Sequence, residues 1–480
     1  MPLEQHRLLI DGRHVAAAAG RSFETIDPAT EQPIAAVAEA DAADVDAAVA
    51  SARRALAGPW GHMRAADRGR VLHRLANLIE LHADELAALE SRDAGKPISA
   101  VLRQDLPAAI DTLRYYAGWA DKINGQVIPA RPDALTYTVR EPVGVVGAIV
   151  PWNFPLMIGM WKVAPALACG CTVVLKPAEI TPLSALRVGD LALEAGLPPG
   201  VLNVVPGFGK SAGRALVDHP DVDKVTFTGS PAVGREVLAG AAGNLKRVTL
   251  ELGGKSANVI FADADLDAAV KAASAGIFFN TGQVCSAGSR ILVQAEIYDE
   301  VVDRLTARAK SIRVGSPAER STAMGPIVSQ AQMARVLDYI AIGVREGASL
   351  VTGGRRLDGP GYFVGPTVFA NVDHDMRISQ EEIFGPVVSV VRFEDEDDAI
   401  AKANGTRYSL AAGVWSRDIG RVHRFATRVK AGTVWINTYG YTDIRLPWGG
   451  ARDSGYGREH GDAAIENFTE PKAVWMNLAG

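Results

Sequence analysis

Residues 143–155 read VGVVGAIVPWNFP. Val143–Val150 is an unbroken apolar run, the pattern of a strand buried on both faces. Two prolines, Pro151 and Pro155, then fix a rigid turn that projects Asn153 from the carboxyl end of that strand. In open parallel sheets that end is where ligands bind. Working outward, strand-like and helix-like periods alternate. Strand runs at Cys171–Leu175, Val201–Val205, Asp223–Thr228 and Arg247–Leu250 are separated by helix runs at Leu156–Ala168, Leu183–Ala195, Ser211–Val217 and Ala232–Ala241. Such alternation builds βαβ units and a mostly parallel sheet.

The pattern resumes after Gly253-Gly254 with strand Asn258–Phe261, helix Leu266–Phe279, strand Ile291–Val293 and helix Asp299–Ile312. Further strands are expected at Ser349–Thr352, Thr367–Phe369, Val387–Phe393 and Ala411–Trp415, and helices at Gln330–Glu346, Glu396–Lys402 and Ile419–Val429. A second α/β unit therefore begins near Gly253. Upstream, Leu8–Val15 reads as a hairpin about Asp11-Gly12, and Asp41–Leu56 as a helix with Asp41 as its N-cap. Arg64–Asp93 reads as one long amphipathic helix and Ser99–Asp121 as another. Thr136–Arg140 alternates as a half-exposed strand does, and Lys472–Met476 alternates near the carboxyl end.

A chain of 480 residues exceeds what one hydrophobic core organises, so two or more domains are expected. Hydrophobic content of 48%, charged content of 22% and a formal charge of −5 describe a globular protein without the clustered basic surface of a nucleic-acid binder. Three cysteines, Cys169, Cys171 and Cys285, are too few for a disulfide scaffold and suit a reducing compartment. The first residues lack a signal-peptide core, and the longest apolar stretches are too short to span a bilayer. These readings predict a cytoplasmic protein with no membrane or nucleic-acid partner. Cys169-x-Cys171 ends an apolar helix and has no His or Cys at ligand spacing, so core packing explains it and no metal is expected.

Cys285 lies in FFNTGQVCSAGSR, residues 278–290, among small and polar residues and after a turn signal, Asn280-Thr281-Gly282. A thiol on such a connector can be reached by a substrate, whereas an isolated cysteine is more often a small buried residue. Asn153 can donate to a developing oxyanion, or can satisfy its own turn. Lys176-Pro177-Ala178-Glu179 places charge at the next strand's carboxyl end, either for ribose hydroxyls or as a surface ion pair. A carboxylate there disfavours a 2′-phosphate. Gly207-Phe208-Gly209 and Gly229-Ser230-Pro231-Ala232-Val233-Gly234 each follow a strand and open a helix, where phosphate is favoured, although neither is a GxGxxG. Glu251, before Leu252-Gly253-Gly254, can act as a general base if burial lifts its pKa, or can be a capping residue. Glu382-Ile383-Phe384-Gly385-Pro386 pairs a carboxylate with an aromatic. Pro447-Trp448-Gly449-Gly450 and Ser454–Glu459 suit a loop at a substrate mouth.

PWNFP, KPAE, FTGS, ELGGKS, FFNTGQVCSAGSR and EEIFGP, in that order along nearly the whole chain, resemble the NAD(P)-dependent aldehyde dehydrogenase superfamily. The resemblance implies an α/β fold of two Rossmann-like open parallel-sheet domains and a small β oligomerisation element. Residues 1–122 and 142–252 would bind the cofactor, 253–452 would be catalytic, and 123–141 with 453–480 would form the third part. It also implies oxidation of a small-molecule aldehyde to the carboxylic acid through a thiohemiacetal and a thioester, with hydrolytic release. Cys285 would be the nucleophile, Glu251 the base, Asn153 with the Cys285 N–H the oxyanion hole, and Glu459 a proton-relay partner. Lys176 and Glu179 would hold the adenosine ribose, Ser230 the pyrophosphate, and Glu382 with Phe384 the nicotinamide ribose. Pro151, Trp152, Gly209, Phe227, Gly229, Gly234 and Leu252 would line the cofactor cleft. Ile158, Trp161, Phe279, Val284, Ser286 and Trp448 would line the substrate pocket. Arg445 either reads a distal substrate carboxylate or pairs with Asp443. The implied cofactor is NAD, with NADP as the alternative, and the implied assembly is a homodimer or homotetramer. Rival readings are a CoA-acylating dehydrogenase, an idle protein on the same fold, and a Cys–His hydrolase.

Overall fold

Val145–Ile149 is buried along its whole length and lies inside an eight-stranded sheet. A computed structural model describes residues 3–478 of the chain. The outermost two positions of the expected spans 1–122 and 453–480 lie outside the described residues. The sheet order is Gly455–Tyr456, Arg247–Glu251, Lys224–Thr228, Val145–Ile149, Thr172–Lys176, Leu202–Val204, Leu8–Ile10 and Arg13–Val15. The five strands from Arg247–Glu251 to Leu202–Val204 are parallel, and the edges are antiparallel. Helices cover the sheet, and one of them, Pro155–Ala168, is itself entirely buried, which is why both elements read as continuous apolar runs. Strand order runs one way from Val145–Ile149 and returns on its other side at Lys224–Thr228. The crevice at the carboxyl ends of these two neighbours is the topological switch point, where such sheets bind ligands.

The second sheet has seven strands, ordered Ser349–Thr352, Thr367–Ala370, Val387–Phe393, Arg290–Gln294, Ala257–Ile260, Ala411–Trp415 and Thr433–Ile436. Only the first pair is antiparallel. Arg247–Glu251 of the first sheet leads through residues 252–256 directly into Ala257–Ile260 of the second, so Glu251 stands at the join. Ala134–Pro142 pairs antiparallel with Thr469–Asn477 as a separate two-stranded ribbon.

Several expectations need correction. The helix expected over 64–93 is two helices, Ala65–Leu81 and Ala83–Ala94. His82 leaves helical geometry between them (ψ 21) and its ring binds Glu85 at 2.8 Å. Apolar periodicity continues across the break, so spacing could not show it. The helix expected from Ser99 contains a π-helical turn, Val101–Asp105, before Leu106–Trp119. Gly455–Tyr456, assigned with 453–480 to the oligomerisation element, instead pairs with Arg247–Glu251. A three-stranded sheet of Glu4–His6, Gln32–Ala38 and Ser22–Asp27 had no recognised sequence signal, its middle strand being mostly alanine, proline and glutamine.

Candidate active site

Helix Leu266–Phe278 is followed by Asn280 (φ 47), Thr281 (φ 58) and Gly282 (φ 71), three consecutive left-handed residues. The two non-glycine residues are strained by roughly 1–3 kcal/mol each and persist only where the surroundings over-determine them. Asn280 Nδ2 donates to Asn153 O at 3.0 Å, and Thr281 Oγ1 donates to Gly325 O at 3.0 Å. Gln283 Oε1 accepts the Val328 N–H at 3.0 Å. At Gly282 a Cβ would collide with the Gly385 carbonyl, so only glycine fits. Asn153, itself buried, donates from Nδ2 to Gln283 O at 2.8 Å. The turn after the first sheet's central strand is thereby tied to the loop that carries Cys285.

Cys285 is half-buried and lines a cavity of about 1120 Å³. Ile158, Trp161, Phe279, Val284, Ser286, Arg445 and Trp448 line the same cavity. Burial, then the Glu251 and Glu382 carboxylates, push the Cys285 thiol up to about 12. Gly254 makes the connection: a Cβ there would strike the Cys285 carbonyl, and its N–H donates to Glu382 Oε1 at 2.9 Å. A Cβ on Gly253 would in turn strike the Glu382 carboxylate. The glycine pair thus lets Cys285 and Glu382 approach the strand that ends in Glu251. Glu382 is raised to about 7 by burial, against the pull of the Gly254 N–H and Lys255.

Glu251 is buried, and its Oε2 has no hydrogen-bond partner among the described residues. Burial first, then the charge of Glu459, hold its carboxyl well above the ordinary range; Lys162 and Arg458 oppose the shift. Gly449 (φ 142) leaves the space that Glu251 Oε1 occupies, since a Cβ there would collide with it. Glu459 is ion-paired with Lys162, whose Nζ also reaches Thr226 Oγ1 at 3.2 Å. Lys162 was not singled out from the sequence. Its signal was available: it is the only charged residue in an otherwise uncharged, fully buried helix. Asn280, Gln283 and Tyr439, whose hydroxyl donates to Ser286 O at 2.9 Å, were missed as parts of the site because their roles depend on contacts remote in sequence.

At the switch point, Ser230 caps helix Pro231–Ala241, its Oγ accepting the Val233 N–H at 3.4 Å. Leu252 lies against Gly234, where a Cβ would come within 2.8 Å of it. Gly209 faces open space, with nothing within 4 Å of where a Cβ would be. Lys176 is buried rather than on the surface; its Nζ donates to Pro177 O at 2.8 Å and lies 3.6 Å from the Glu179 carboxylate. Trp152 and Phe384 meet edge to face at 5.2 Å, joining the two sheets' loops. Pro151 and Gly229 follow the strands Val145–Ile149 and Lys224–Thr228, and Phe227 belongs to the latter. Open space beside Gly209, a capped helix N-terminus and a buried lysine, all at the carboxyl ends of strands of one parallel sheet, fit a dinucleotide.

Arg445 forks onto Asp443, with Nε at 2.8 Å and Nη2 at 2.6 Å, and is 74% exposed. The guanidinium holds Asp443 at about 2. The pairing with Asp443, not a free cation, is what the cavity mouth presents. His460 lies in the same cavity, its ring edge-on to Trp161 at 4.2 Å. Cys169 and Cys171 are buried, and no three or more His, Cys, Asp or Glu side chains among the described residues are grouped to hold a metal ion.

Fold and site together define a two-sheet α/β protein with a cysteine opening onto a cavity beside a dinucleotide-type crevice. A model of the Aldehyde dehydrogenase family matches residues 14–474. The chain is 52% identical over 472 residues to an aldehyde dehydrogenase of Emericella nidulans, covering 98% of this chain and 95% of that protein. An aldehyde dehydrogenase of Bacillus cereus solved as its NAD+ complex superposes with a TM-score of 0.98 at 51% identity, covering 99% and 97% of the two chains. A mutant of the P. syringae indole-3-acetaldehyde dehydrogenase AldA, in complex with NAD+ and IAA, gives 0.98 at 45%, covering 100% and 97%. The chain belongs to the aldehyde dehydrogenase family, and its reaction class is the oxidation of aldehydes.

Proposed function

We propose that the chain oxidises a bulky, largely apolar aldehyde to its carboxylic acid, with NAD as the hydride acceptor and Cys285 as the covalent nucleophile. The observation that carries this reading is Cys285 on the wall of an aromatic cavity, electrostatically coupled to a buried, half-unpartnered Glu251. In the resting protein the thiol keeps its proton. Its proton passes to solvent water in the cavity as Sγ bonds to the aldehyde carbon. Asn153 Nδ2 and the Cys285 N–H then donate to the oxyanion of the thiohemiacetal; one such donor contributes on the order of 3 kcal/mol. Bound NAD+ supplies the hydride acceptor. Glu251 next deprotonates a water, hydroxide adds to the thioester carbon, and the C–S bond breaks to release the acid. Glu459, charge-coupled to Glu251 and paired with Lys162, passes the surplus proton onward.

Lys176 and Glu179 are the proposed adenosine-ribose contacts, Ser230 the pyrophosphate contact and Glu382 the nicotinamide-ribose contact. The negative charge of Glu179 supports NAD over NADP, because a 2′-phosphate would meet it. NAD+ complexes of the B. cereus and P. syringae relatives support the same cofactor. Trp161, Trp448, Phe279 and Tyr439 in the cavity wall support an aromatic or branched substrate. Arg445, already paired with Asp443, gives little support to a semialdehyde acid. Exposed Trp475 and Met476 on the two-stranded ribbon support a homodimer or homotetramer, and three free thiols support the cytoplasm.

A panel of aldehydes read at the NADH absorbance tests the function. Arylacetaldehydes are expected to outrun short and acidic aldehydes with NAD, without CoA. Glu251→Gln is expected to form one equivalent of NADH per site and then stall. Full steady-state turnover in that variant would remove the base assignment, and a thioester product on adding CoA would favour the acylating alternative.

A further inference from the structure

Beneath the turn 151–155 lies a buried charge cluster that takes no part in the chemistry above. Helix Ala83–Ala94 ends on Gly95 in left-handed conformation (φ 73). The chain then returns through Lys96 and Pro97 into the π-helical turn Val101–Asp105, where the Leu106 N–H reaches back five residues to Val101 O. A π turn inserts one residue into the helical register, and here Asp105 ends up buried and ion-paired with Lys96, both side chains wholly out of solvent. The Lys96 ammonium also sits over the Phe154 ring, 3.6 Å from its centroid. Phe154 follows Asn153 directly, and its ring stacks with Phe279 at 6.2 Å in the cavity wall.

A second contact arrives from helix Ala83–Ala94. Glu90 Oε2 accepts the N–H of Leu156 at 3.2 Å, in the first turn of the helix that the turn opens. Glu90 Oε1 and Asp105 Oδ1 are buried with no hydrogen bond to any donor in the described residues. Burial, then the charge of Asp105, raise the Glu90 carboxyl to about 8, and burial raises Asp105 as well, against the pull of Lys96. Glu90, Asp105 and Lys96 thus lie in series, ending on an aromatic face. Neighbouring Asp93 is occupied separately by the Leu183 N–H at 3.1 Å.

We propose that Lys96, Asp105 and Glu90 are positioning residues for the oxyanion donor, clamping Phe154 and Leu156 so that the Asn153 amide is held at the Cys285 loop. None of the three touches a reacting atom. Two independent ties converge on the residues just after Asn153, whereas Asn153 itself is tied only to the Cys285 loop, which must move with it. Without the clamp both partners can shift together, and the oxyanion donor loses its fixed position relative to the substrate. The inference rests on the role of Asn153 given above.

The test is single-turnover NADH formation, with enzyme in excess over an arylacetaldehyde and saturating NAD+, per titrated Cys285. It compares wild type, Lys96→Met, Asn153→Ala and the double variant. Lys96→Met is expected to slow the single turnover roughly 10- to 100-fold, as an ångström of misplacement does. The double variant is expected to be no slower than Asn153→Ala alone. Losses that multiply in the double variant, or an unslowed turnover in a reduced number of active sites, overturn the clamp and leave the role of Asn153 intact. An unslowed Asn153→Ala overturns that role itself. Should Lys96→Met not fold, the same cycle with Glu90→Leu, which removes the tie to Leu156, is decided by the same criterion.

Discussion

At the scale of single residues, burial and neighbouring carboxylates hold the proton on Cys285, the nucleophile proposed above. A thiol raised to about 12 is almost wholly protonated at neutral pH. Its reactivity must therefore rise with pH without levelling off below the alkaline range, and a cation placed nearby must increase it. Alkylation of Cys285 by iodoacetamide, followed by mass spectrometry, is expected to accelerate by roughly tenfold per pH unit and to quicken when NAD+ is added. A plateau near neutral pH would show that burial and the charges of Glu251 and Glu382 do not govern the thiol. Gly449 offers a second residue-scale check, since its absent side chain is the room Glu251 uses. Gly449→Ala is expected to preserve the first equivalent of NADH while lowering steady-state turnover by about 10²-fold, the scale of a lost general base. Asn153, Glu251 and Cys285 drew notice in the sequence by residue type, and the roles expected of them came from the family resemblance of the motifs that hold them. Asn280 and Gln283 could not be placed, because what they do depends on partners more than a hundred residues away or on a backbone twist.

At the scale of elements, the apolar runs foretold the parallel strands well, since a strand covered on both faces must be apolar throughout. Irregular features were invisible for a related reason. The break at His82 and the π turn at Val101–Asp105 leave the hydrophobic period intact, so nothing in the spacing marks them. The π turn nonetheless decides which charges meet. Glu90 is raised from its ordinary 4.5 to about 8, so the folded chain binds that proton more tightly than the unfolded chain does. Its contribution to stability is full below the unfolded value and is lost as the pH climbs through the folded one. Glu90→Gln removes that dependence. Its melting temperature relative to wild type is expected to rise between about pH 5 and about pH 9, followed by circular dichroism. A difference that stays constant with pH would mean Glu90 is ionised in the folded protein.

At the scale of the whole molecule, two open sheets are joined where Glu251 passes into the glycine pair, and the loops of both meet there. The ribbon of Ala134–Pro142 and Thr469–Asn477 forms a sheet of its own and exposes Trp475 at 63% and Met476 at 48%. Large apolar side chains so exposed mark a surface that another copy can cover. Trp475→Glu is expected to lower the assembly size seen by sedimentation velocity while a dilute-solution melt stays that of a folded chain; an unchanged mass would separate the ribbon from assembly. No helix among the described residues is long and apolar enough to cross a membrane. The sequence by itself determined the two α/β units, the strand ends that carry Asn153, Lys176 and Glu251, and the cysteine among small residues, because local periodicity and residue chemistry are written in neighbouring positions. Only the tertiary structure decided that Lys162 meets Glu459, that residues 455–456 join the first sheet, and that a buried cluster underlies Asn153, because each of these is a contact between distant segments whose burial sets its energy.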